Sequence, residues 1–430
     1  MAAAVSGFAA VLMLSLVGLP ITYAMLLVGF VGFALVIDWM PALSMVSQIA
    51  WETSLNYGLS VLPLFILMGN FLNQAKLSGE LYDASNAFLG HRRGGLAMAT
   101  VVACGGFSAL CGSSLATAAT MAKVSIPSMR KYGYADDLAT GAVAAGGTLG
   151  ILIPPSTVFV IYGILTQSDI GKLFAAGIVP GILTIALYCA AIWLVVTLHP
   201  RKGPPGVRTE WPGRLRALAR VWGVVALFIL VIGGLYVGAF TPTEAAGIGA
   251  FGAYLFVLLR NGFSWRSLMD VSVETARTTA VMFVILIGAI VFSNFVNVAG
   301  MSAALADWIN GLNVHPLVVV LWILIIYLIL GCVFESLSMV LLTVPVFFPI
   351  ISHLGLDPIW FGVIVVIVTE VALITPPVGL NVYVLKGIYR DIPTGVMFRG
   401  VLPFICADVV RLTLIVLLPG LSLWLPSQMG

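Results

Sequence analysis

Slid against itself by 222 residues, the chain pairs Pro20 with Pro242, Pro127 with Pro349, Pro154 with Pro376 and Pro155 with Pro377. At the usual proline frequency of about 5%, the seven prolines of the first half would give about a third of one such match by chance. The same ungapped register sets Glu52 and Thr53 on Glu274 and Thr275, Ser114 and Leu115 on Ser336 and Leu337, and Gly133 on Gly355. One inserted residue later, Gly177 and Pro180 fall on Gly400 and Pro403. The chain therefore reads as two copies, residues 1–198 and 222–430, joined by a polar segment at 199–221.

What each copy can be follows from its solvent. Across 430 residues, 61% are hydrophobic and 9% charged, and the mean hydropathy is +1.12; an ordinary soluble domain carries about 25% charged residues. Apolar windows of about 17 to 25 residues recur, long enough for α-helices to cross about 30 Å of hydrocarbon and too long for barrel strands. The chain is expected to be an all-α polytopic membrane protein. Its opening segment lacks the basic flank of a cleavable signal and is expected to be the first span.

Each copy should supply two spans (about 3–19 and 20–37; 220–240 and 243–260), an amphipathic connecting helix (40–56; 263–279) and a third span. A fold-back stretch, a span broken at Pro-Pro (138–166; 358–386) and a last span follow. The fold-back stretches, 94–130 and 315–350, are too long for one crossing and too short for two, so a re-entrant helical hairpin is expected in each. The turns should fall at "GGFSALCGSS" and "GCVFESLS", where small and polar residues concentrate. Five crossings per copy turn the second copy upside down relative to the first. Placing the linker in the cytoplasm puts 18 of the 20 Lys and Arg on that side, Lys76 among them. Lys172 is then outside, Arg411 is buried and both termini are extracytoplasmic.

Adjacent prolines free backbone groups that hydrocarbon cannot satisfy. Such a break persists where it lines a wet cavity, and there the freed carbonyls can hold a cation. The candidate cation ligands of the first copy are Ser113 and Ser114 at the hairpin tip, with Gly147, Gly150 and Pro154 along the break. Those of the second are Gly331, Glu335 and Ser336 at the tip, with Thr375, Pro376, Gly379 and Asn381. Ser114, Thr117 and Ser156 could also bind a substrate carboxylate. A Gly-Ser-Ser cluster usually serves helix packing and a lone Pro-Pro is usually a kink; duplication in register is what points to a site. Asp408 and Arg411, spaced i,i+3, should form a structural ion pair, whereas Glu244, Glu335 and Glu370 each could neutralise a cation or orient backbone. Cys104, Cys111, Cys189, Cys332 and Cys406 are scattered, and the four histidines sit at helix ends or loops, so no metal cluster and no cofactor is expected; the mainly neutral oxygens of the tips and breaks suit Na+ as a coupling ion. No HExxH, GxSxG or phosphate loop occurs, which argues against an embedded enzyme or a primary pump.

"FSALCGSSLATAATMAKVSIPSMRKYGY", "GTLGILIPPSTVFVIYG", "FTPTEAAG", "ESLSMVLLTVPVFFPI" and "ITPPVGLNVYVLKG" resemble, in this order and across essentially the whole chain, the large membrane subunit of tripartite ATP-independent periplasmic (TRAP) transporters, the DctM-like family. The resemblance implies an ion-transporter-superfamily-like elevator fold in the bacterial inner membrane that imports carboxylates with Na+. It also implies two partners, a periplasmic substrate-binding protein and a small four-helix membrane subunit, here expected as a separate chain. Sialic-acid members tend to carry an acidic residue where Thr117 stands, which disfavours that substrate. An ion channel or a proton-coupled carrier of the same fold is the alternative.

Overall fold

The structure, a computed structural model, describes residues 2–75, 77–312, 314–331 and 333–429. Lys76, one of the basic residues assigned to the cytoplasm, and Cys332 in the second hairpin lie outside the described residues. Every regular element among those described is helical. The first half runs α1 (Ala2–Leu16), α2 (Ile21–Val36), α3 (Trp39–Leu55), α4 (Val61–Gln74), α5 (Leu77–Leu89), α6 (Gly95–Cys111), α7 (Ser114–Lys131), α8 (Asp136–Thr148), α9 (Thr157–Thr166) and α10 (Ile170–Leu198). The second repeats the order as α11 (Trp211–Tyr236), α12 (Pro242–Asn261), α13 (Trp265–Val298), α14 (Met301–Leu312), α15 (Pro316–Leu330), α16 (Ser336–His353), α17 (Pro358–Ala372), α18 (Leu380–Ile388) and α19 (Thr394–Leu417), with a short α20 (Gly420–Leu423) at the end. Six helices are long and apolar enough to cross a membrane, and α3 with α4 makes a seventh if the bent pair is one span.

Side-chain caps explain where several helices begin. Asp38, Ser113, Ser156, Asp169, Ser264 and Asp357 each accept a backbone N–H of the first turn, which satisfies donors that the helix itself leaves free. Thr241 and Glu244 form a reciprocal capping box on α12. Glu244 is thus an exposed capping residue and not a buried charge that could neutralise a cation.

Two elements depart from expectation. The connecting helix and third span of the second half, expected as separate pieces, are one 34-residue helix, α13. In the first half they are separate: α3 stops at Asn56, whose side chain accepts from Gly58 N at 2.9 Å, and α4 leaves at 55°. The cause is local. Asn56, Gly58 and Pro63 stand where the register places Thr278, Ala280 and Ile285, so only the first half carries a cap, a flexible residue and a missing donor at this joint. The other departure is an additional short helix before each hairpin, α5 and α14, which sequence reading left within the third span and the loop after it.

The three most extensive helix packings join the two halves: α2 on α13, α4 on α12 and α8 along α19; α10 lies along α19 and, less extensively, α17. The α8/α19 crossing is made on glycine: a Cβ at Gly141 would stand 2.1 Å from the Gly400 carbonyl oxygen, and one at Gly400 would stand 1.9 Å from that of Asp137. Only bare backbone allows this approach. The hairpin helices and broken helices thereby share a core with the last spans, and α1, α2, α4, α11, α12 and α13 flank it.

Candidate functional site

The first hairpin turns in two residues. α6 ends at Gly112 with φ +61, a left-handed cap that glycine adopts without strain, and Ser113 returns to extended backbone to start α7. The second hairpin turns more slowly, between Gly331 and Glu335, with Glu335 at the N-cap position of α16. The first break opens after Thr148 with a single turn of 3-10 helix, Leu149–Ile151, and passes through a cis Pro154–Pro155 bond. It closes at Ser156, whose hydroxyl donates to the Ile151 carbonyl at 2.5 Å and accepts from Phe159 N at 3.3 Å. The second break leaves α17 at Leu373, passes through a cis Pro376–Pro377 bond and closes at Gly379, φ +58. Pro154 and Pro155 are buried, whereas Pro376 and Pro377 are exposed.

Each tip rests on the break of its own half. A Cβ at Gly150 would lie 2.6 Å from the Ser113 carbonyl oxygen, and one at Gly331 would lie 2.1 Å from the Ala372 Cβ. Thr157 donates to the Gly112 carbonyl at 3.1 Å, tying the first tip to the start of α9. The two tips also face each other. A cavity of about 60 Å³ is lined by Gly112, Ser113, Ser114 and Leu115 on one side and by Glu335, Ser336 and Leu337 on the other. Ile151, Thr157, Val158, Leu373 and, from α13, Met282 close it. This volume holds an ion with a water or two and is too small for an organic acid, since liquid water takes about 30 Å³ per molecule.

Of the residues singled out in the sequence, Ser113, Ser114, Glu335 and Ser336 line this cavity. Gly150 forms the floor on which the first tip rests, Gly331 is the point at which the second tip rests on Ala372, and Gly147 gives α7 its close approach, with the Ala118 Cβ 2.7 Å from where a Cβ would be. Thr375 donates to the Val371 carbonyl at 2.6 Å within the second break. Asn381 is fully buried: its Nδ2 donates across the halves to the Ala144 carbonyl at 3.0 Å, and its Oδ1 has no hydrogen-bond partner. A buried amide oxygen left with a free lone pair suits a cation ligand. Thr117 and Ser156 stand behind the lining. The Thr117 hydroxyl donates to the Ser113 carbonyl at 2.8 Å, so both side chains brace tip and break from within. Thr157 and Met282 escaped sequence reading. Thr157 follows the capping serine directly and could have been found as its neighbour, whereas nothing marks Met282 among the apolar residues of α13.

Glu370 keeps one buried carboxylate oxygen, Oε1, without a hydrogen-bond partner. It pairs with Arg411 at 2.9 Å, and Arg411 also pairs with Asp408 at 2.8 Å, which is the i,i+3 pair expected from sequence with a third member. Around the base of the first hairpin, Arg130 holds Asp136 at 2.8 Å and Asp391 at 2.6 Å and lies over the Tyr389 ring. The guanidinium keeps the exposed Asp391 carboxyl below the usual carboxylate range, chiefly through its hydrogen bond. The segment joining the halves is stitched to the same base by Gly203 accepting from Gly94 N at 2.8 Å, Lys202 accepting from Ala135 N at 3.0 Å, and Lys202 Nζ on Asp137 at 2.5 Å.

The family model of the DctM component of tripartite ATP-independent periplasmic transporters matches residues 8–421. A C4-dicarboxylate TRAP transporter large permease protein, DctM, of Pseudomonas aeruginosa is 37% identical over 382 residues, covering 88% of each chain. The sialic acid TRAP transporter large permease protein SiaM of Vibrio cholerae is 33% identical over 86% of this chain and 87% of its own. Among solved structures, the YdaH transporter of Alcanivorax borkumensis superposes with a TM-score of 0.62 over 90% of this chain and 89% of its own at 16% identity, a likeness of fold alone.

Proposed function

The chain belongs to the DctM component family of tripartite ATP-independent periplasmic transporters, a multi-pass permease subunit and not an enzyme, and on that premise we propose that it imports a small organic acid in symport with Na+. The carrying observation is the cavity where both hairpin tips meet over both breaks, in which the hydroxyls of Ser113, Ser114, Thr157 and Ser336 and the Glu335 carboxylate stand among apolar side chains. Neutral oxygens suit a dehydrated alkali cation better than a proton. Asn381 Oδ1 and the Ser113, Ser114 and Ser336 side chains are the ligand candidates, with Gly147, Gly150, Pro154, Gly331, Thr375, Pro376 and Gly379 offering main-chain carbonyls. The cavity is too small for the acid, so the tips separate to admit it, and Ser114, backed by Thr117 and Ser156, is the group nearest to its carboxylate.

Two inverted copies would place one hairpin open to each side of the inner membrane, with both termini periplasmic and the 199–221 segment cytoplasmic. The body formed by α6–α10 and α15–α19 would slide as an elevator against the flanking helices, held by α3 and the first half of α13. The acid would be handed over by a periplasmic binding protein, with a small membrane subunit completing the scaffold. Relatives are named for C4-dicarboxylates and for sialic acid, and a small carboxylate is the substrate class proposed here.

Glu335 in the lining favours a second reading, a carrier coupled to protons. One experiment separates the two. Reconstituted in liposomes with both partners, the protein should lose uptake when external Na+ is replaced by choline. Undiminished uptake driven by a proton gradient alone would refute the sodium reading.

A further inference from the structure

Between the flanking helices α11 and α12 runs an open groove of about 610 Å³. The Phe256 ring lies over Gly223, 2.4 Å from where a Cβ would be, and Leu227 lies over Gly252, 2.6 Å from where one would be; together they make its floor. Ala226, Leu230, Leu255 and Leu259 line its sides, and the three leucines are exposed. The groove is apolar along its length except at one end, where Arg220 and Arg260 join the lining beside the exposed Trp222. From Arg220 to Leu230 is ten residues, about 15 Å of helix, which is half of the roughly 30 Å of hydrocarbon in a bilayer. The groove thus has the depth of one leaflet, with its guanidiniums and an indole at headgroup level.

The charges at this end do not balance. Arg260 is held in place, its guanidinium 5.5 Å or less from the Phe256 ring centroid, at 5.4 Å, and its Nη2 on Glu80 of α5. Arg220 is exposed and in no ion pair among the described residues. Burial raises the nearby Asp83 carboxyl above its usual range, and the Arg220 guanidinium offsets this in part. Arg216 stands one turn earlier on the face of Arg220. Three guanidiniums against two carboxylates leave one positive charge in excess, which one phosphodiester would neutralise. The counterpart pair α1 and α2 lacks this feature: the register sets Asp38 where Arg260 stands, and the groove between those helices has no basic residue in its described lining. We propose that the α11/α12 groove binds one anionic phospholipid, its phosphate on Arg220 and Arg260 and an acyl chain along the floor over Phe256 and Leu227. The excess charge at headgroup depth favours a lipid over a partner helix. Of the function proposed above, this site takes only the cytoplasmic placement of the 199–221 segment, which makes the lipid one of the inner leaflet.

The test is native mass spectrometry of the chain purified together with its small membrane subunit and equilibrated in detergent with equal phosphatidylglycerol and phosphatidylethanolamine. The complex should retain one phosphatidylglycerol at this groove, preferred severalfold over phosphatidylethanolamine. Arg220→Gln should lower that retention severalfold and remove the preference. Ala226→Trp, which fills the groove from an exposed position, should displace the lipid with both guanidiniums in place, and Leu255→Trp serves should that variant fail to assemble. Lipid held without headgroup preference and unmoved by any of these substitutions is annular, and would overturn the proposal. Retention lost with Arg220→Gln but kept in both tryptophan variants would show a site for phosphate alone, and loss of the small subunit in place of the lipid would give the groove to a partner helix; either result also overturns it. The measurement involves neither Na+ nor orientation in a membrane, so its failure leaves the sodium reading standing.

Discussion

Asn381 and Arg411 are both buried polar residues, and their partners give them opposite roles. Asn381 keeps an amide oxygen unpaired beside the second break, whereas Arg411 is committed to Glu370, Asp408 and Thr184. Asn381→Ala should therefore raise half-saturating Na+ and cost about 1–2 kcal/mol for the buried hydrogen bond to Ala144, and Ser113→Ala and Ser114→Ala should raise it more weakly. Titration of uptake against Na+ checks this, and an unchanged curve in all three would remove them from the cation site. Arg411→Met should instead cost about 3–5 kcal/mol, because two carboxylates lose their cation in the interior. Adding Glu370→Met and Asp408→Leu to Arg411→Met should recover most of that loss, since an apolar substitute carries no stranded charge. Thermal midpoints in detergent decide, and a triple variant no more stable than the single would count against the charge argument. Residue types and spacing made Ser113, Ser114, Ser336 and the Asp408–Arg411 pair legible in the sequence. The pairing of Glu370 with Arg411 was not legible, because the two lie 41 residues apart with α18 between their helices. The neutral Thr148 at the matching register position was the available hint that this place faces the last span.

At the scale of elements, glycine and proline marked boundaries best. Both hairpins begin and end within three residues of where turn chemistry set them, and both helix breaks fall at the paired prolines. Reading failed at the α3/α4 joint and its counterpart in α13, because hydropathy is the same whether an amphipathic helix stops before a span or runs into it. The deciding residues are Asn56, Gly58 and Pro63, against Thr278, Ala280 and Ile285. If they are the cause, the quadruple substitution Asn56→Thr, Tyr57→Thr, Gly58→Ala and Pro63→Ile should fuse α3 with α4 into one helix. The proline must be included, since its ring would clash with the Leu59 carbonyl in a continuous helix. Spin labels at Trp51 and Asn73, both exposed, should then move apart as the 55° bend straightens. An unchanged distance distribution would show that packing against the rest of the fold, and not the joint, sets the angle. Straightening should also slow transport, because α3 would leave its seat against α2 and α13.

For the whole molecule, the contacts between halves come in pairs that the register exchanges, α2 with α13 against α4 with α12 and α8 with α19 against α17 with α10, although the register alone does not say which helices meet. The sequence could not show how the core seats against its flank, which depends on packing between helices far apart in the chain. One seam is open. A cavity of about 240 Å³ is bounded by Gly105, Gly106 and Ala109 of the first hairpin and by Val224, Val225 and Phe228 of α11, with isoleucines of α10 between. All of these linings are apolar, so nothing but dispersion holds the hairpin to α11 there, and sliding breaks no hydrogen bond. In a background with the native cysteines replaced, Ala109→Cys and Val225→Cys joined by a crosslinker that spans the cavity should stop uptake, and cleaving the linker should restore it. Hairpins that only gate locally, with the body fixed against α11, would leave the crosslinked protein fully active. That outcome would rule out the elevator while leaving the proposed cation site at the tips untouched.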